Sequence, residues 1–194
     1  MVRRGLWIAA ALVVAAVAGY VVYDMRANTS TVPGIGMPAD VRLTDHRGRP
    51  FTAADLKGKP TAIFFGFTYC PEICPTTLLD MGARLQALGD DADKLNVVFV
   101  TIDPERDTPR QLAAYLSSFD PRIRGVSGTP EQIGKMAKGF RVYYRKVETG
   151  GGEYTMDHST AVYLMDAKGR FVGPIGYQEP ADRAVASLKR LIAG

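Results

Sequence analysis

The apolar pattern changes period several times along the chain, and each change predicts an element. Thr61-Ala-Ile-Phe-Phe-Gly-Phe67 and Val97-Val-Phe-Val-Thr-Ile102 are short runs that are apolar on both faces, as buried parallel strands are. Between them Leu78, Leu79, Met81, Leu85 and Leu88 recur at helical spacing, which makes a strand, helix, strand unit. Thr108-Pro109-Arg110-Gln111 and Thr129-Pro130-Glu131-Gln132 each place Thr at an N-cap, Pro at the first helical position and Gln at the third, the pattern of a capping box. Their apolar faces follow as Leu112, Tyr115, Leu116 and Phe119, then Ile133, Met136, Ala137 and Phe140.

Shorter signals fill in the rest. Val41-Arg42-Leu43 and Phe51 flank a polar turn over 45–50, a small hairpin ahead of the core. Tyr143-Tyr144 and Tyr154 flank Gly150-Gly151-Gly152 as an inserted hairpin, and Ala161 to Met165 with Phe171 to Ile175 make another around the turn Asp166-Ala-Lys-Gly169. Val185, Leu188, Leu191 and Ile192 close the chain on a helix. The order is βαβα, an inserted helix and hairpin, then ββα, without an internal repeat.

The first thirty residues follow a different pattern. Arg3 and Arg4 precede an uncharged run from Leu6 to Tyr23. That run is about 27 Å long as a helix, close to the roughly 30 Å of a bilayer core. The two arginines direct the N-terminus to the cytoplasm and the rest of the chain to the far side, and Trp7, Tyr20 and Tyr23 fall at the interfaces. Ala16-Val17-Ala18 before Gly19 fits a signal-peptide cleavage site, but apolar sequence continues through Val21-Val22-Tyr23, so an uncleaved anchor is expected. The expected organisation is a cytoplasmic flank (1–5), a transmembrane anchor (6–23), a Thr-, Ser-, Pro- and Gly-rich linker (24–37) and an α/β domain (38–194).

Composition adds exclusions. With 46% hydrophobic and 23% charged residues among 194, and only two cysteines, low-complexity and disulfide-scaffold classes are ruled out. Half of the net charge of +4 comes from Arg3, Arg4 and Arg26 against Asp24. The remainder is nearly neutral with scattered basic residues, so no nucleic-acid partner is expected.

The element order resembles the thioredoxin fold, and the first core strand leads straight into Cys70-Pro71-Glu72-Ile73-Cys74-Pro75. The prolines push Cys70 and Cys74 away from helical geometry, which makes Cys74 the N-cap and Pro75 the first helical residue. Thiols at a helix N-terminus are favoured as thiolates. Three readings follow: a structural disulfide, which would close a very small loop, a redox dithiol, or a metal site with a further ligand.

Only His46 and His158 are available as imidazole ligands. His46 falls in a polar turn, where a solvated surface histidine is expected. His158 directly precedes the strand from Ala161, which would start at the sheet edge where the parallel strands deliver Cys70, Cys74 and Asp103. Two thiolates and one imidazole form a soft, low-coordination set suited to Cu(I). Asp103 and Asp157 are candidates for orienting the imidazole or adjusting charge, against the alternatives of a turn cap and a solvated loop residue. For Met156 and Tyr69 packing is the expected role.

Phe65-Gly-Phe-Thr-Tyr-Cys-Pro-Glu-Ile-Cys-Pro75, Thr101-Ile-Asp-Pro-Glu-Arg-Asp-Thr108, Gly128-Thr-Pro-Glu-Gln-Ile133 and Asp157-His158 resemble the Sco/SenC proteins, copper chaperones for cytochrome c oxidase assembly. The resemblance implies copper, in either oxidation state, on Cys70, Cys74 and His158. It also implies oxidase subunit II as the partner, through delivery of copper to its dinuclear site or reduction of that site's cysteines, with other copper chaperones as further partners. A bacterial inner-membrane location, single-pass with the domain in the periplasm, fits an N-terminus that lacks a long Arg/Ser-rich transit peptide. The alternative of another class is a thiol-disulfide oxidoreductase. A peroxiredoxin, suggested by Val41 to Pro60, fits less well, because peroxide reduction needs one activated cysteine and neither the second nor the histidine.

Overall fold

A computed structural model describes residues 13–20 and 34–194. Residues 13–20 are helical, and among the described residues no helix is long and apolar enough to cross a membrane. Most of the expected anchor and linker lies outside the described residues. The chain divides into two units, 1–31 and 32–194, and the second contains every element that follows.

Leu43–Asp45 (β1) and Pro50–Phe51 (β2) form the leading hairpin, whose turn needs Gly48 at φ +79°. Thr52 and Asp55 then cap one short 3-10 turn, Ala53–Leu56. Thr61–Gly66 (β3) is buried at all six positions and runs parallel to Asn96–Thr101 (β4). The helix between them, Ile73–Leu88 (α1), buries Leu78, Met81, Leu85 and Leu88, while Leu79 faces solvent. Leu79 therefore departs from the core stripe its spacing suggested.

Pro109–Leu116 (α2) and Pro130–Gly139 (α3) start where the Thr-Pro pairs place them. Each Thr hydroxyl accepts from the backbone N–H of the Gln three residues on. The reciprocal half of the expected box does not form at Thr129, where Gln132 Oε1 accepts from the backbone N–H of Arg42 instead. Between these helices lies Ile123–Ser127 (β5), a strand absent from the expected order. Its five residues include Arg124 and Gly125, which break the apolar run. Gly125 gives Leu116 room there, because a Cβ would come within 2.5 Å of Leu116 Cδ1 and force that side chain to shift.

Tyr144–Gly150 (β6) and Glu153–His158 (β7) are the inserted hairpin, and they pair only with each other. Val162–Met165 (β8) and Phe171–Ile175 (β9) return to the main sheet, and Ala181–Ala193 (α4) ends the fold. The seven-stranded sheet runs β2-β1-β5-β4-β3-β8-β9, with β3, β4 and β5 parallel and their neighbours β1 and β8 antiparallel to them. One core of Phe, Leu, Ile and Val side chains lines it, including Phe51, Phe65, Phe67, Phe99 and Phe140. The leading hairpin is thus an edge of the central sheet rather than a separate cover.

Candidate metal centre

Three segments deliver the chemistry to one edge of the sheet. β3 ends at Gly66 and leads into the turn that holds Cys70, α1 carries Cys74 in its first turn, and β7 ends on His158. Cys74 is the second residue of α1 and Glu72 the N-cap, so the helix starts two residues earlier than expected. Pro75 is tolerated because the first backbone N–H groups of a helix have no intrahelical partner to lose. The N–H of Cys74 is used otherwise, donating to Cys70 Sγ at 3.4 Å.

One ligand atom from each of Cys70, Cys74 and His158 lies within 4.8 Å of the others. Both cysteines are free, Cys70 half-buried and Cys74 buried. His158 Nδ1 lies 2.7 Å from the carbonyl oxygen of Ser159, which can only accept, so Nδ1 carries the proton. Nε2 is then left with its lone pair, 3.7 Å from Cys74 Sγ. The ring stands edge-on to Phe64 and Phe67, which restrict its swing. Metal-sulfur bonds of about 2.3 Å and metal-nitrogen bonds of about 2.0 Å fit within such a triangle with little movement. The site opens to solvent through a cleft of about 230 Å³ lined by Phe67, Cys70, Pro71, Ile73, Met156 and His158.

The two thiols are pushed in opposite directions. Cys70 is pulled down to about 4, chiefly by a hydrogen bond from Cys74; burial opposes this, and His158 and the backbone N–H groups of Cys74 and Glu72 assist. Cys74 is pushed up because it donates that bond, is buried and lies beside the Cys70 charge. Cys70 thus favours the thiolate and Cys74 the thiol, a division that suits both a soft cation and dithiol exchange.

Other sequence candidates take different places. Asp157 lies on the rim with its carboxylate 56% exposed, 3.8 Å from Arg145, and the imidazole is oriented by the Ser159 carbonyl. Asp103 accepts from Arg106 Nε and from Tyr154 Oη, so its carboxylate serves the loop after β4 and the hairpin. His46 is half-buried in the leading hairpin, where Nδ1 accepts from the N–H of Gly125, rather than simply solvated. Tyr69 is 57% exposed, with its ring against the Arg106 guanidinium, and Met156 packs on the core beside the cleft.

Gly66 is a site residue that the apolar pattern concealed. A Cβ there would lie 2.8 Å from Cys74 Sγ and 2.8 Å from Phe99 Cε2, so the sulfur occupies the space of the missing side chain. The signal was present as a lone glycine in an aromatic strand. Gly66→Ala is expected to displace the sulfur, cost about 1–3 kcal/mol of stability through overpacking, and weaken metal binding. Thermal unfolding with a Cu(I) competition assay checks this; wild-type values in both would show that Gly66 does not set the sulfur's position.

The SCO1/SenC family profile matches residues 36–193. The structure of Bradyrhizobium japonicum ScoI with copper bound is 51% identical and superposes with a TM-score of 0.76, covering 81% of this chain and 99% of that one. Yeast Sco1 with copper bound is 36% identical with a TM-score of 0.77, covering 84% and 90%. Protein sco1 of Schizosaccharomyces pombe is 37% identical over an alignment of 172 residues that covers 84% of this chain and 65% of that protein. The chain thus spans slightly under two thirds of that relative. The fold is that of the Sco structures, thioredoxin-like and mixed α/β.

Proposed function

The chain belongs to the SCO1/SenC family, and from that premise we propose that it is a copper chaperone whose cargo is held by Cys70, Cys74 and His158. The observation that carries the reading is the convergence of two sulfurs and one imidazole nitrogen within 4.8 Å. That donor set is soft and has too few ligands for a closed structural zinc site, and it matches Cu(I). The Bradyrhizobium japonicum and yeast relatives with copper bound support the same cargo.

Cys70 meets the cation as a thiolate, and Cys74 gives up its proton when the metal takes the place of the shared hydrogen bond. His158 closes the third side through Nε2, and the cleft above leaves room for an acceptor's ligand to enter and displace one of the three. Family membership supports cytochrome c oxidase subunit II, at its dinuclear copper site, as the acceptor, with other copper chaperones as donors. The uncharged run 6–23 behind Arg3 and Arg4 supports a single-pass inner-membrane anchor with the domain in the periplasm.

The opposed thiol shifts favour a second reading, reduction of the acceptor's cysteines. The Cys70 thiolate would attack a target disulfide and release one thiolate. Cys74 would then resolve the mixed disulfide, passing two electrons to the target and leaving Cys70 joined to Cys74. Anaerobic Cu(I) titration of the reduced full-length protein separates the two readings. The chaperone reading expects saturation at one ion per chain; failure to bind would leave only the dithiol.

A further inference from the structure

His158 sits at the end of a hairpin that forms no ladder with the main sheet. Its ring contacts and the bonds between Tyr143 and Ser159 hold only the base of that hairpin. Further along β7 Met156 packs on the core, and the polar hold comes from one side chain. The Arg106 guanidinium lies 3.7 Å from the centroid of the Tyr154 ring and 4.6 Å from that of Tyr69, and it donates from Nη1 to the Tyr154 carbonyl at 2.9 Å. Asp103 bridges the same pair, taking Arg106 Nε on one oxygen and Tyr154 Oη at 2.9 Å on the other. Lys146 of β6 joins from outside, reaching Glu105 at 3.0 Å and lying over the Tyr154 ring.

Arg106 Nη2 is buried without a hydrogen-bond partner among the described residues, although Asp103, the Tyr154 carbonyl and the two rings compensate the rest of the guanidinium. The guanidinium nonetheless holds this position, because its planar fork can lie between two rings and still donate from its edge.

We propose that Arg106 is a positioning residue for the histidine ligand: it clamps Tyr154 of the hairpin to the loop after β4, and thereby holds His158, four residues along the same strand, against Cys74. The proposal rests on the copper reading of the site. Arg106 touches none of the three ligands. Its loss leaves the sulfurs in place and lets the imidazole move away.

The test is a double-mutant cycle on the full-length, reduced protein, read by Cu(I) competition and by X-ray absorption of the copper-loaded forms. Arg106→Ala is expected to lower affinity about 10–100-fold, as loss of a residue that orients a ligand does, and to remove the nitrogen scatterer while both sulfurs remain. In a His158→Ala background the same change is expected to cost almost nothing, because the ligand it serves is gone. Tyr154→Leu, which removes the stacking face from the hairpin side, carries the same expectations and stands in if Arg106→Ala does not fold. A retained nitrogen with unchanged affinity, or an equal loss in the His158→Ala background, would overturn the proposal. A wild-type protein that binds copper without nitrogen, or not at all, would instead defeat the copper reading itself.

Discussion

Oxidation of Cys70 and Cys74 to a disulfide is expected to abolish nearly all copper affinity while the fold persists. Both sulfurs are consumed by the bond, and an imidazole alone is a poor match for Cu(I). The sheet and helices do not depend on the reduced state, since Cys70 lies in the turn before α1 and Cys74 in its first turn. Linkage gives the converse effect a size. Copper binds only the reduced pair, so free copper at about 1,000 times its Kd stabilises that state by about 4.1 kcal/mol. For a two-electron couple this raises the reduction potential by roughly 90 mV. Redox titration with and without Cu(I) checks it. An unchanged midpoint would mean that copper sits elsewhere than on these sulfurs.

His158→Ala is expected to separate the two chemistries of the site. Copper binding loses its nitrogen and about one to two orders of magnitude in affinity, on the scale seen when ligand arrangements are disturbed. Dithiol exchange survives, because Cys70 keeps the main cause of its lowered pKa, the hydrogen bond from Cys74, and loses only the smaller help of His158. Cys70→Ser, in contrast, is expected to abolish both. Copper-limited cells carrying His158→Ala should assemble an under-metallated oxidase. A fully metallated oxidase in those cells, beside failure in Cys70→Ser cells, would favour the reductase reading.

The parts of the fold with strong local signals were legible in the sequence. β3 and β4 are apolar on both faces because they lie inside a parallel sheet, and the Thr-Pro pairs mark α2 and α3 by chemistry confined to four residues. β5 was not legible, since Arg124 answers to neighbours far away in sequence, Asp45 and Asp55, while Gly125 makes room for Leu116 of the preceding helix. The convergence of Cys70, Cys74 and His158 was readable from topology: a strand antiparallel to β3 must begin where β3 ends, and His158 precedes it by a few residues. Their surroundings were not. The stack of Arg106 on Tyr154 joins residues 48 apart, and Asp103, a candidate either for orienting the imidazole or for capping its turn, accepts from both members of that stack. Leu79 and the start of α1 differ for a local reason, since a helix may carry an exposed leucine and tolerates proline throughout its first turn.

X-ray absorption of the reduced, Cu(I)-loaded, full-length protein tests the copper centre most directly. Two sulfur scatterers and one nitrogen, with the nitrogen absent in His158→Ala, is the predicted result. A copper shell of sulfur alone in the wild type, or a nitrogen that persists in His158→Ala, would contradict the site built from Cys70, Cys74 and His158.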